Sequence, residues 1–378
     1  MKYFFFAVLL FLALPLQAQL AYSGTVVDAV TGEPLPFVNI GVADRAIGTV
    51  SNEEGIFLLE FRPEEVGPAD ILRISSLGYE PTEVPLSRLE QATKHFTFRL
   101  KPSPIGLDEV IVSTAELFKV EEEVGYPNMM GRGIGYWKDS VALGGELGSR
   151  IRVDKGLRRL NALFFQVLDN PSDSVRLRVN VYETDIKSTY PGTNANKSGK
   201  GILYTLRKGE NLVVIDLTAA ELWVSDDFIV SLELLGVYGT ERVGLSLPAG
   251  ASPGGESFRR YASQSRWERL EESVMGFSVQ STLYTDNPRR LPKTRIIRKR
   301  EKNETEISGY VFHAGNPLKE ASIRNYTRNQ SVQTDKWGRY TTRISKGDIL
   351  SVSYPGMLEI VVEVEEPRNF NFQLKRKR

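Results

Sequence analysis

The stretch Ser23-Gly24-Thr25-Val26-Val27-Asp28 near the start of the chain has a counterpart near its end, Ser308-Gly309-Tyr310-Val311-Phe312-His313. Further matches follow in the same order, including Asp70 to Ser75 with Asp348 to Ser353. The spacing between matching positions shortens only between predicted strands, where loops tolerate deletions. We therefore predict two copies of one small β domain, and this duplication constrains the fold more than any other feature.

Each copy has the pattern of a small antiparallel β sandwich. Phe96-Thr97-Phe98-Arg99-Leu100 alternates between apolar and polar residues, as a strand with one buried face does. Asn52-Glu53-Glu54-Gly55 is predicted to be a turn, because its glycine can adopt a positive φ. Short strands separated by glycine and proline predict an all-β chain, with small sandwiches at residues 20–102 and 305–378.

The first copy resembles the carboxypeptidase regulatory-like domain in four segments, namely Gly24 to Asp28, Gly32 to Ile40, Gly48 to Phe57 and Ser76 to Glu80. The C-terminal copy matches less closely, because no Gly-Glu pair precedes Pro317 and Met357 replaces the aromatic residue after Gly356. The resemblance implies a transthyretin-like β sandwich without catalytic activity of its own. Such domains are common in envelope proteins of Bacteroidetes-type bacteria.

The family name does not imply peptidase activity in this chain. A zinc carboxypeptidase needs a histidine, a glutamate three residues further on and a distant histidine. The chain has two histidines, His95 and His313, and neither is followed by a glutamate at that spacing. The absence of cysteine excludes disulfides, thiolate metal sites and a lipid-modified N-terminal cysteine. We expect no metal ion and no cofactor.

Residues 1–18 have the features of a secretory signal peptide. Lys2 precedes an apolar run from Tyr3 to Leu14, and the small residue Ala18 suits the position before a cleavage site. The run is shorter than the roughly 20 apolar residues that a membrane-spanning helix needs. We expect an exported protein without a transmembrane span in the mature chain, located in the periplasm, at the outer membrane or at the cell surface. Export and a net charge of +1 argue against a nucleic-acid partner.

Residues 103–136 are predicted to be a linker. Within them, Leu107-Asp108-Glu109-Val110-Ile111-Val112 resembles the segment that follows the same domain in TonB-dependent outer-membrane receptors, close to the TonB contact. An acidic, strand-forming segment can add to the sheet edge of a partner. Alternatively, the segment completes the sheet of its own domain or only links two domains. We favour this alternative, because the rest of the chain is too short for a transmembrane barrel.

A separate, jelly-roll-like β sandwich is predicted for residues 137–300. Its clearest strand, Val175 to Glu183, places apolar residues at the odd positions and polar residues on the other face. Strands of this length with long loops are typical of jelly rolls. The polar, turn-rich stretch Ser188 to Gly201 is interpreted as a loop, either an insertion or a mobile lid.

The polar face of that strand is the candidate ligand site. Arg178 and Asn180 supply hydrogen-bond donors, and Tyr182 supplies a ring on which a sugar can stack. Glu233 lies on a second predicted strand and is expected on the same sheet. We therefore predict that these four residues bind a glycan. The alternative is the solvated face of a half-buried sheet, which shows the same alternation.

We interpret the chain as an exported, non-catalytic protein of the cell envelope that binds or scaffolds, with a glycan or an envelope protein as its partner. Two alternatives remain. One is a glycan hydrolase, because Asp226, Asp227 and Glu233 can supply the pair of carboxylates that glycosidases use. The other is an accessory partner of a TonB-dependent outer-membrane system.

Overall fold

The computed structural model describes residues 20–90, 95–103, 117–127, 134–135, 143–185, 189–239, 244–290 and 304–377. The predicted signal peptide and the segment 107–112 lie outside these ranges. The described chain is all-β, which confirms the predicted fold class: 29 strands accompany one short α-helix and three 3₁₀ turns. In these ranges no helix combines the length and apolar character that crossing a membrane requires.

The chain forms two compact units. The first contains Met1–Pro104 together with two short segments, Val141–Gly145 and Arg260–Arg266. The second contains Ile105–Ser140, Glu146–Arg259 and Trp267–Arg378. The N-terminal sandwich therefore belongs to the first unit, whereas the middle and C-terminal sandwiches share the second.

The N-terminal sandwich contains seven strands. In chain order, its elements are β1 (Leu20–Asp28), β2 (Asn39–Val42), β3 (Gly48–Val50), β4 (Ile56–Phe61), a 3₁₀ turn (Pro63–Glu65), β5 (Ile71–Ser75), β6 (Thr82–Pro85), α1 (Leu86–Glu90) and β7 (His95–Leu100). One sheet has the order β4-β1-β7, with β1 antiparallel to β4 and parallel to β7. The other has the order β3-β2-β5-β6 and is antiparallel. Alternation buries one face of β4, and Val26, Ile40, Phe57 and Ile74 meet in the core.

The middle sandwich contains fourteen strands. They are β8 (Phe118–Gly125), β9 (Ile134–Gly135), β10 (Glu146–Ile151), β11 (Arg158–Gln166), β12 (Ser174–Thr184), β13 (Pro191–Asn194), β14 (Ile202–Arg207), β15 (Leu212–Asp216), β16 (Trp223–Val224), β17 (Phe228–Tyr238), β18 (Ser246–Leu247), β19 (Ala249–Arg260), β20 (Glu268–Met275) and β21 (Phe277–Thr285), with 3₁₀ turns at Thr218–Ala220 and Pro288–Arg290. The larger sheet has the order β13-β12-β17-β10-β19-β20, and β14 also pairs with β12. The smaller sheet has the order β15-β11-β21-β8, and β16 also pairs with β11.

Two segments of the middle region differ from the sequence-based expectation. The stretch predicted as a linker contains β8, which pairs with β21 along its whole length. Val120 of β8 is buried, so this strand is part of the sandwich. The stretch predicted as a loop contains β13, which pairs with the end of β12. The two-sheet sandwich is observed, and its assignment as a jelly roll stays a prediction.

The C-terminal sandwich contains eight strands. They are β22 (Thr305–His313), β23 (Asn316–Pro317), β24 (Ser322–Asn325), β25 (Gln330–Gln333), β26 (Arg339–Ile344), β27 (Ile349–Ser353), β28 (Ile360–Glu363) and β29 (Phe372–Gln373). In one sheet β22 lies between the antiparallel β26 and the parallel β29. The other has the order β25-β24-β27-β28. Apart from the two-residue β23, which pairs with β22, both orders match those of the N-terminal sandwich.

Within the second unit, the middle and C-terminal sandwiches share a small apolar cluster of Ala162, Phe164, Val214 and Tyr326. The rings of Phe164 and Tyr326 meet edge to face, with 5.9 Å between their centroids. Arg324 forms an ion pair with Asp216 and lies over the Tyr326 ring, 4.7 Å from its centroid. Strands β11 and β15 therefore pack against the end of β24.

Candidate functional site

The four residues predicted to bind a ligand lie together on one face of the larger middle sheet. Arg178, Asn180 and Tyr182 alternate along β12, and β17 places Glu233 directly opposite Arg178. The Arg178 guanidinium donates to Glu233 Oε2 at 3.2 Å, and Asn180 Nδ2 donates to the same oxygen at 2.9 Å. The Tyr182 ring meets that of Trp267 edge to face at 5.9 Å. The structure thus brings all four residues into one network.

Sequence reasoning missed the fifth member of this network, Glu146. Strand β10 places Glu146 directly opposite Glu233. Asn180 Nδ2 donates to Glu146 Oε1 at 3.0 Å, and the Tyr182 hydroxyl donates to the same oxygen at 3.0 Å. The Ser231 hydroxyl also contacts Glu146 Oε1. Within Glu146 to Ile151 the only large apolar residues are Leu147 and Ile151, so the sequence signal for this strand is weak, and it does not indicate which strand lies beside it.

Most of this network is buried. Glu146 and Glu233 are 0% exposed and Asn180 is 6% exposed, whereas Arg178 and Tyr182 are half-buried. Two buried carboxylates on neighbouring strands repel each other unless donors lie between them. Asn180 supplies that bridge and Arg178 supplies a positive charge. The main effect of the network is to hold β10, β17 and β12 together in one register.

The turn between β13 and β14 is tied to the same network. Asn194 Nδ2 donates to Asn180 Oδ1 at 3.2 Å. Within the turn, the Asn196 side chain donates to the carbonyl of Lys200 at 2.9 Å and accepts from the amide of Ser198 at 2.9 Å. Local side-chain bonds of this kind define a compact turn. The predicted lid is therefore an ordered turn attached to the predicted site.

The polar face continues along the sheet beyond the buried network. We call it the polar stripe: Arg178, Asn180, Tyr182 and Thr184 of β12, Ser231 and Glu233 of β17, and Glu146 and Arg150 of β10. At its far end, Arg150 donates to Asp227 Oδ2 from Nε at 3.1 Å and from Nη2 at 2.9 Å. Arg150 Nη1 donates to Glu256 Oε2 at 2.7 Å. Burial alone would lower the pKa of Arg150, but the bonds and charges of Glu256 and Asp227 raise it overall.

The polar stripe ends at a cleft of about 400 Å³, which we call the acidic cleft. Its polar lining residues are Arg150, Glu183, Thr184, Asp185, Thr189, Ser225, Asp226 and Asp227. The backbone N–H of Asp227, together with Lys155, holds the pKa of Asp226 below its usual range. Asp227 Oδ1 accepts from the backbone N–H of Val153 at 2.8 Å. The cleft is therefore lined by carboxylates, hydroxyls and the guanidinium of Arg150, which is bonded to Asp227 and Glu256.

This arrangement suits a ligand with several hydroxyl groups. Each sugar hydroxyl can donate to a carboxylate and accept from a hydroxyl or a guanidinium. Across the described residues, no group of three or more histidine, cysteine, aspartate or glutamate side chains is placed to hold a metal ion. Sequence reasoning named Asp226 and Asp227 as candidate carboxylates but did not find Arg150 or the cleft.

The fold defines the class: an all-β protein made of successive sandwiches. The N-terminal sandwich is a carboxypeptidase regulatory-like domain, since residues 22–112 match the family described as CarboxypepD_reg-like domain. This match confirms the resemblance inferred from the first copy. No curated protein has a sequence significantly similar to this chain.

Several solved structures align with most of the chain at low similarity. A variant of BcpA, the major pilin subunit of Bacillus cereus, is 8% identical, with 96% of this chain and 100% of that chain covered and a TM-score of 0.15. The major pilin SpaD from Corynebacterium diphtheriae is 9% identical, with 95% and 98% covered and a TM-score of 0.16. The Bacillus anthracis TIE protein is 10% identical, with 94% of this chain and 50% of that chain covered and a TM-score of 0.16. At such TM-scores these similarities support no argument about function.

Proposed function

We propose that the protein is an exported, non-catalytic component of the cell envelope whose middle sandwich binds a glycan in the acidic cleft. The regulatory-like match of the N-terminal sandwich supports the scaffolding part of this proposal. The observation that carries the binding part is the cleft at the open end of the polar stripe, which Arg150, Thr184 and Asp226 line together. The C-terminal sandwich, with a strand order that matches apart from β23, would be a second and more divergent member of the same family.

Glycan binding would depend on two sets of residues, one that contacts the sugar and one that positions the first. Residues of the acidic cleft would contact the sugar, because the cleft is open and polar. Asn180, Glu146 and Glu233 would position them, because the buried network fixes the register of the strands that carry Arg150 and Thr184. Arg178 and Tyr182, which are half-buried, would form the part of the predicted site closest to solvent.

A glycan array probed with the full chain tests the binding role. Glu183 and Asp226 are the exposed carboxylates to change, as Glu183→Gln with Asp226→Asn. A hydrogen bond to a charged group contributes about 1.5–3 kcal/mol, so the double variant should bind the best glycan at least about tenfold more weakly. Glu54→Gln, an exposed change in the N-terminal sandwich, is the matched control and should bind like the unchanged chain. Equal binding by both variants would remove the acidic cleft from the proposal.

The buried network needs a different test, since its loss affects folding first. Asn180→Ala removes the bridge between Glu146 and Glu233 and should lower the melting temperature together with binding. Tyr182→Phe keeps the ring against Trp267 and removes only the hydroxyl, so it should weaken binding less. If Asn180→Ala abolished binding at unchanged melting temperature, Asn180 would contact the glycan directly.

Glycan hydrolysis is the second candidate, and one observation favours it. Asp226, Asp227 and Glu183 line the same cleft, and paired carboxylates are what glycosidases require. Asp227, however, is bonded to Arg150 and to a backbone N–H, which suits a structural carboxylate better than a proton donor. Release of reducing ends from a bound polysaccharide, lost in Asp226→Asn, would establish hydrolysis; binding without release would support the binding role.

A further inference from the structure

A second cleft, of about 1090 Å³, lies within the second unit between β28 and the consecutive strands β14 and β15, which belong to different sheets. We call it the edge cleft. Leu203 and Tyr204 of β14 and Val214 of β15 line one side, and Val361 and Glu363 of β28 line the other. It is separate from the acidic cleft, with which it shares no lining residue.

Both β14 and β28 present an unpaired edge. Among the described strands, β14 pairs only with β12 and β28 pairs only with β27. The amide of Val364, just after β28, donates to Asp348 O at 2.8 Å, towards β27. Because backbone groups alternate in direction along a strand, the amide of Glu363 is directed away from β27. It is therefore available to an added strand.

Three of the features that protect exposed edges are missing from β28. Lysine, proline and bulges hinder strand addition, as do short strands and other charges; β28 has four residues and one charge, Glu363. The sequence of β28 is Ile360-Val361-Val362-Glu363, which contains neither lysine nor proline, and its register with β27 is regular. Leu203, 36% exposed on the opposite side of the cleft, offers apolar surface to the side chains of an incoming strand.

The charges of the edge cleft favour a cationic occupant. Glu363 and Glu365 line it, are exposed and form no ion pair among the described residues. Three basic residues also line the cleft, and each already has a partner: Arg207 pairs with Glu210 at 3.8 Å, Arg176 donates to Thr205, and the charge of Lys377 acts on Glu359. Desolvation raises the pKa of Glu359, another lining residue, although a hydrogen bond from Ser351 and the charge of Lys377 oppose the shift. Glu363 and Glu365 are therefore the carboxylates left for a cationic occupant.

We infer that the edge cleft binds an extended peptide segment with basic side chains, which adds as a strand to the free edge of β28. The main-chain hydrogen bonds would supply affinity, and Glu363 and Glu365 would select the basic residues. This inference is independent of glycan binding, because it uses a different cleft.

A fluorescent heptapeptide of alternating lysine and valine, titrated into the full chain by fluorescence anisotropy, tests the charge requirement. It should bind at low ionic strength and weaken as salt is added, because exposed charges are screened. The same peptide with glutamate in place of lysine should bind at least about tenfold more weakly. Equal binding of the two peptides would overturn the inference.

Paired variants separate strand addition from simple charge attraction. Glu363→Pro and Glu363→Ala both remove the charge, but only the proline variant also removes the outward amide, so it should bind the lysine peptide at least about tenfold more weakly than Glu363→Ala. Glu365→Lys should weaken binding, whereas Glu366→Lys, its exposed neighbour outside the cleft lining, should not. If the two variants of either pair bound the lysine peptide equally, the peptide would not add to the edge of β28.

A modified peptide makes the test independent of any effect of proline on folding. Methylation of alternate peptide amides in the probe removes its donors on one edge and leaves the protein unchanged. At least one of the two methylation patterns should abolish binding. Full binding by both would show that no main-chain pairing takes place and would overturn strand addition.

Discussion

The N-terminal and C-terminal sandwiches have the same strand order, yet equivalent positions are stabilised by different chemistry. In the N-terminal sandwich the Asn52 side chain accepts from the amides of Glu54 and Ile56 at 3.1 and 2.8 Å. In the C-terminal sandwich Asp335 accepts from the amides of Trp337 and Arg339, both at 2.9 Å. An amide and a carboxylate thus support the same turn. The comparison teaches that the fold requires an acceptor at this position, not a particular residue.

The surfaces of the two sandwiches have diverged more than their interiors. Residues 20–102 contain twelve acidic and seven basic side chains, whereas residues 305–378 contain eight acidic and twelve basic ones. At the turn described above, Trp337 is 63% exposed with Lys336 over its ring, where the N-terminal sandwich has Glu53 and Glu54. Modules of opposite net charge present different long-range fields, although the edge cleft on the basic C-terminal sandwich is lined locally by Glu363 and Glu365. Predictions about shared buried positions therefore test the duplication better than surface properties do.

The largest expected effect is at the glycine that both copies place in their first strand. A Cβ added at Gly309 would lie 1.7 Å from the carbonyl oxygen of Phe370, and one added at Gly24 would lie 2.3 Å from that of Phe96. Backbone must move to relieve either clash, so Gly309→Ala should destabilise its sandwich by about 3 kcal/mol or more, and Gly24→Ala somewhat less. Hydrogen exchange of the full chain, read separately over each sandwich, measures both changes.

Gly67→Ala is the control for this pair, because a Cβ at Gly67 meets nothing within 4 Å. Its exchange should match that of the unchanged chain. If Gly24→Ala or Gly309→Ala were equally silent, the close approach of the two parallel strands would not be a shared requirement of the fold.

The second prediction concerns an aspartate that both copies retain. Asp348 is 3% exposed and is bonded to Arg328 Nε at 2.5 Å, whereas Asp70 pairs with the half-exposed Arg45 at 3.1 Å. Removing one partner of a buried pair leaves an uncompensated charge, so Arg328→Ala should cost about 3 kcal/mol. Arg45→Ala should cost less than about 1 kcal/mol.

Chemical denaturation monitored by hydrogen exchange measures both arginine variants. Arg343→Ala, which removes an exposed pair with Glu306 in the same sandwich, is the control and should cost no more than Arg45→Ala. Equal costs for Arg328→Ala and Arg45→Ala would contradict the difference in burial between the two sites.

The polar stripe shows how much of the candidate site could be predicted from the sequence. Strands and turns are local features, so alternation located β12 and placed Arg178, Asn180 and Tyr182 on one face. Partners from distant strands were not predictable, because the larger sheet sets β10 and β12 on opposite sides of β17. Neither the bridge from Asn180 to Glu146 nor the bonds of Arg150 with Asp227 and Glu256 can be read from spacing along the chain.

Burial was the second property that sequence could not supply. The alternation of β12 is the same whether its polar face is solvated or covered. In the structure Asn180 lies beneath the Asn194 turn, and Glu233 is fully buried. The duplication was the one sequence feature that predicted an arrangement of distant strands, because two copies with matched gaps imply the same strand order in both.

The third prediction concerns a hydroxyl that bridges two loops in each copy. Ser51 Oγ accepts from Val38 N and donates to Leu35 O, both at 2.9 Å. Thr334 Oγ1 accepts from Ala321 N at 2.8 Å and donates to Leu318 O at 2.5 Å. Ser51→Ala and Thr334→Val leave a buried amide unpaired, so each should cost about 1–3 kcal/mol.

The hydroxyl-preserving changes Ser51→Thr and Thr334→Ser are the matched controls. Thermal melting of the full chain, together with hydrogen exchange over each sandwich, compares their stability with that of Ser51→Ala and Thr334→Val. The controls should recover most of the lost stability. Equal losses for Thr334→Val and Thr334→Ser would mean that packing, and not the hydrogen bond, matters at this position.

The smallest expected effect is a pH response confined to the N-terminal copy. The backbone amides of Thr31 and Val30 lower the pKa of Asp28, and the Tyr79 hydroxyl adds to this shift. The stabilisation from Asp28 is therefore complete above the unfolded-state pKa of about 3.9 and is lost as pH falls through the lower folded-state value. The sequence match places His313 at the position of Asp28, so the C-terminal copy lacks this carboxylate.

Amide chemical shifts of Val30 and Thr31, followed by NMR in the full chain from pH 6 downwards, should change only below the ordinary aspartate range. Asp28→Asn should remove the transition, and Tyr79→Phe should move its midpoint slightly upwards, because one donor to the carboxylate is lost. A midpoint at the ordinary aspartate pKa would show that these amides do not favour the charged form of Asp28. The turn would then depend on backbone geometry alone, as the C-terminal copy must without a carboxylate at that position.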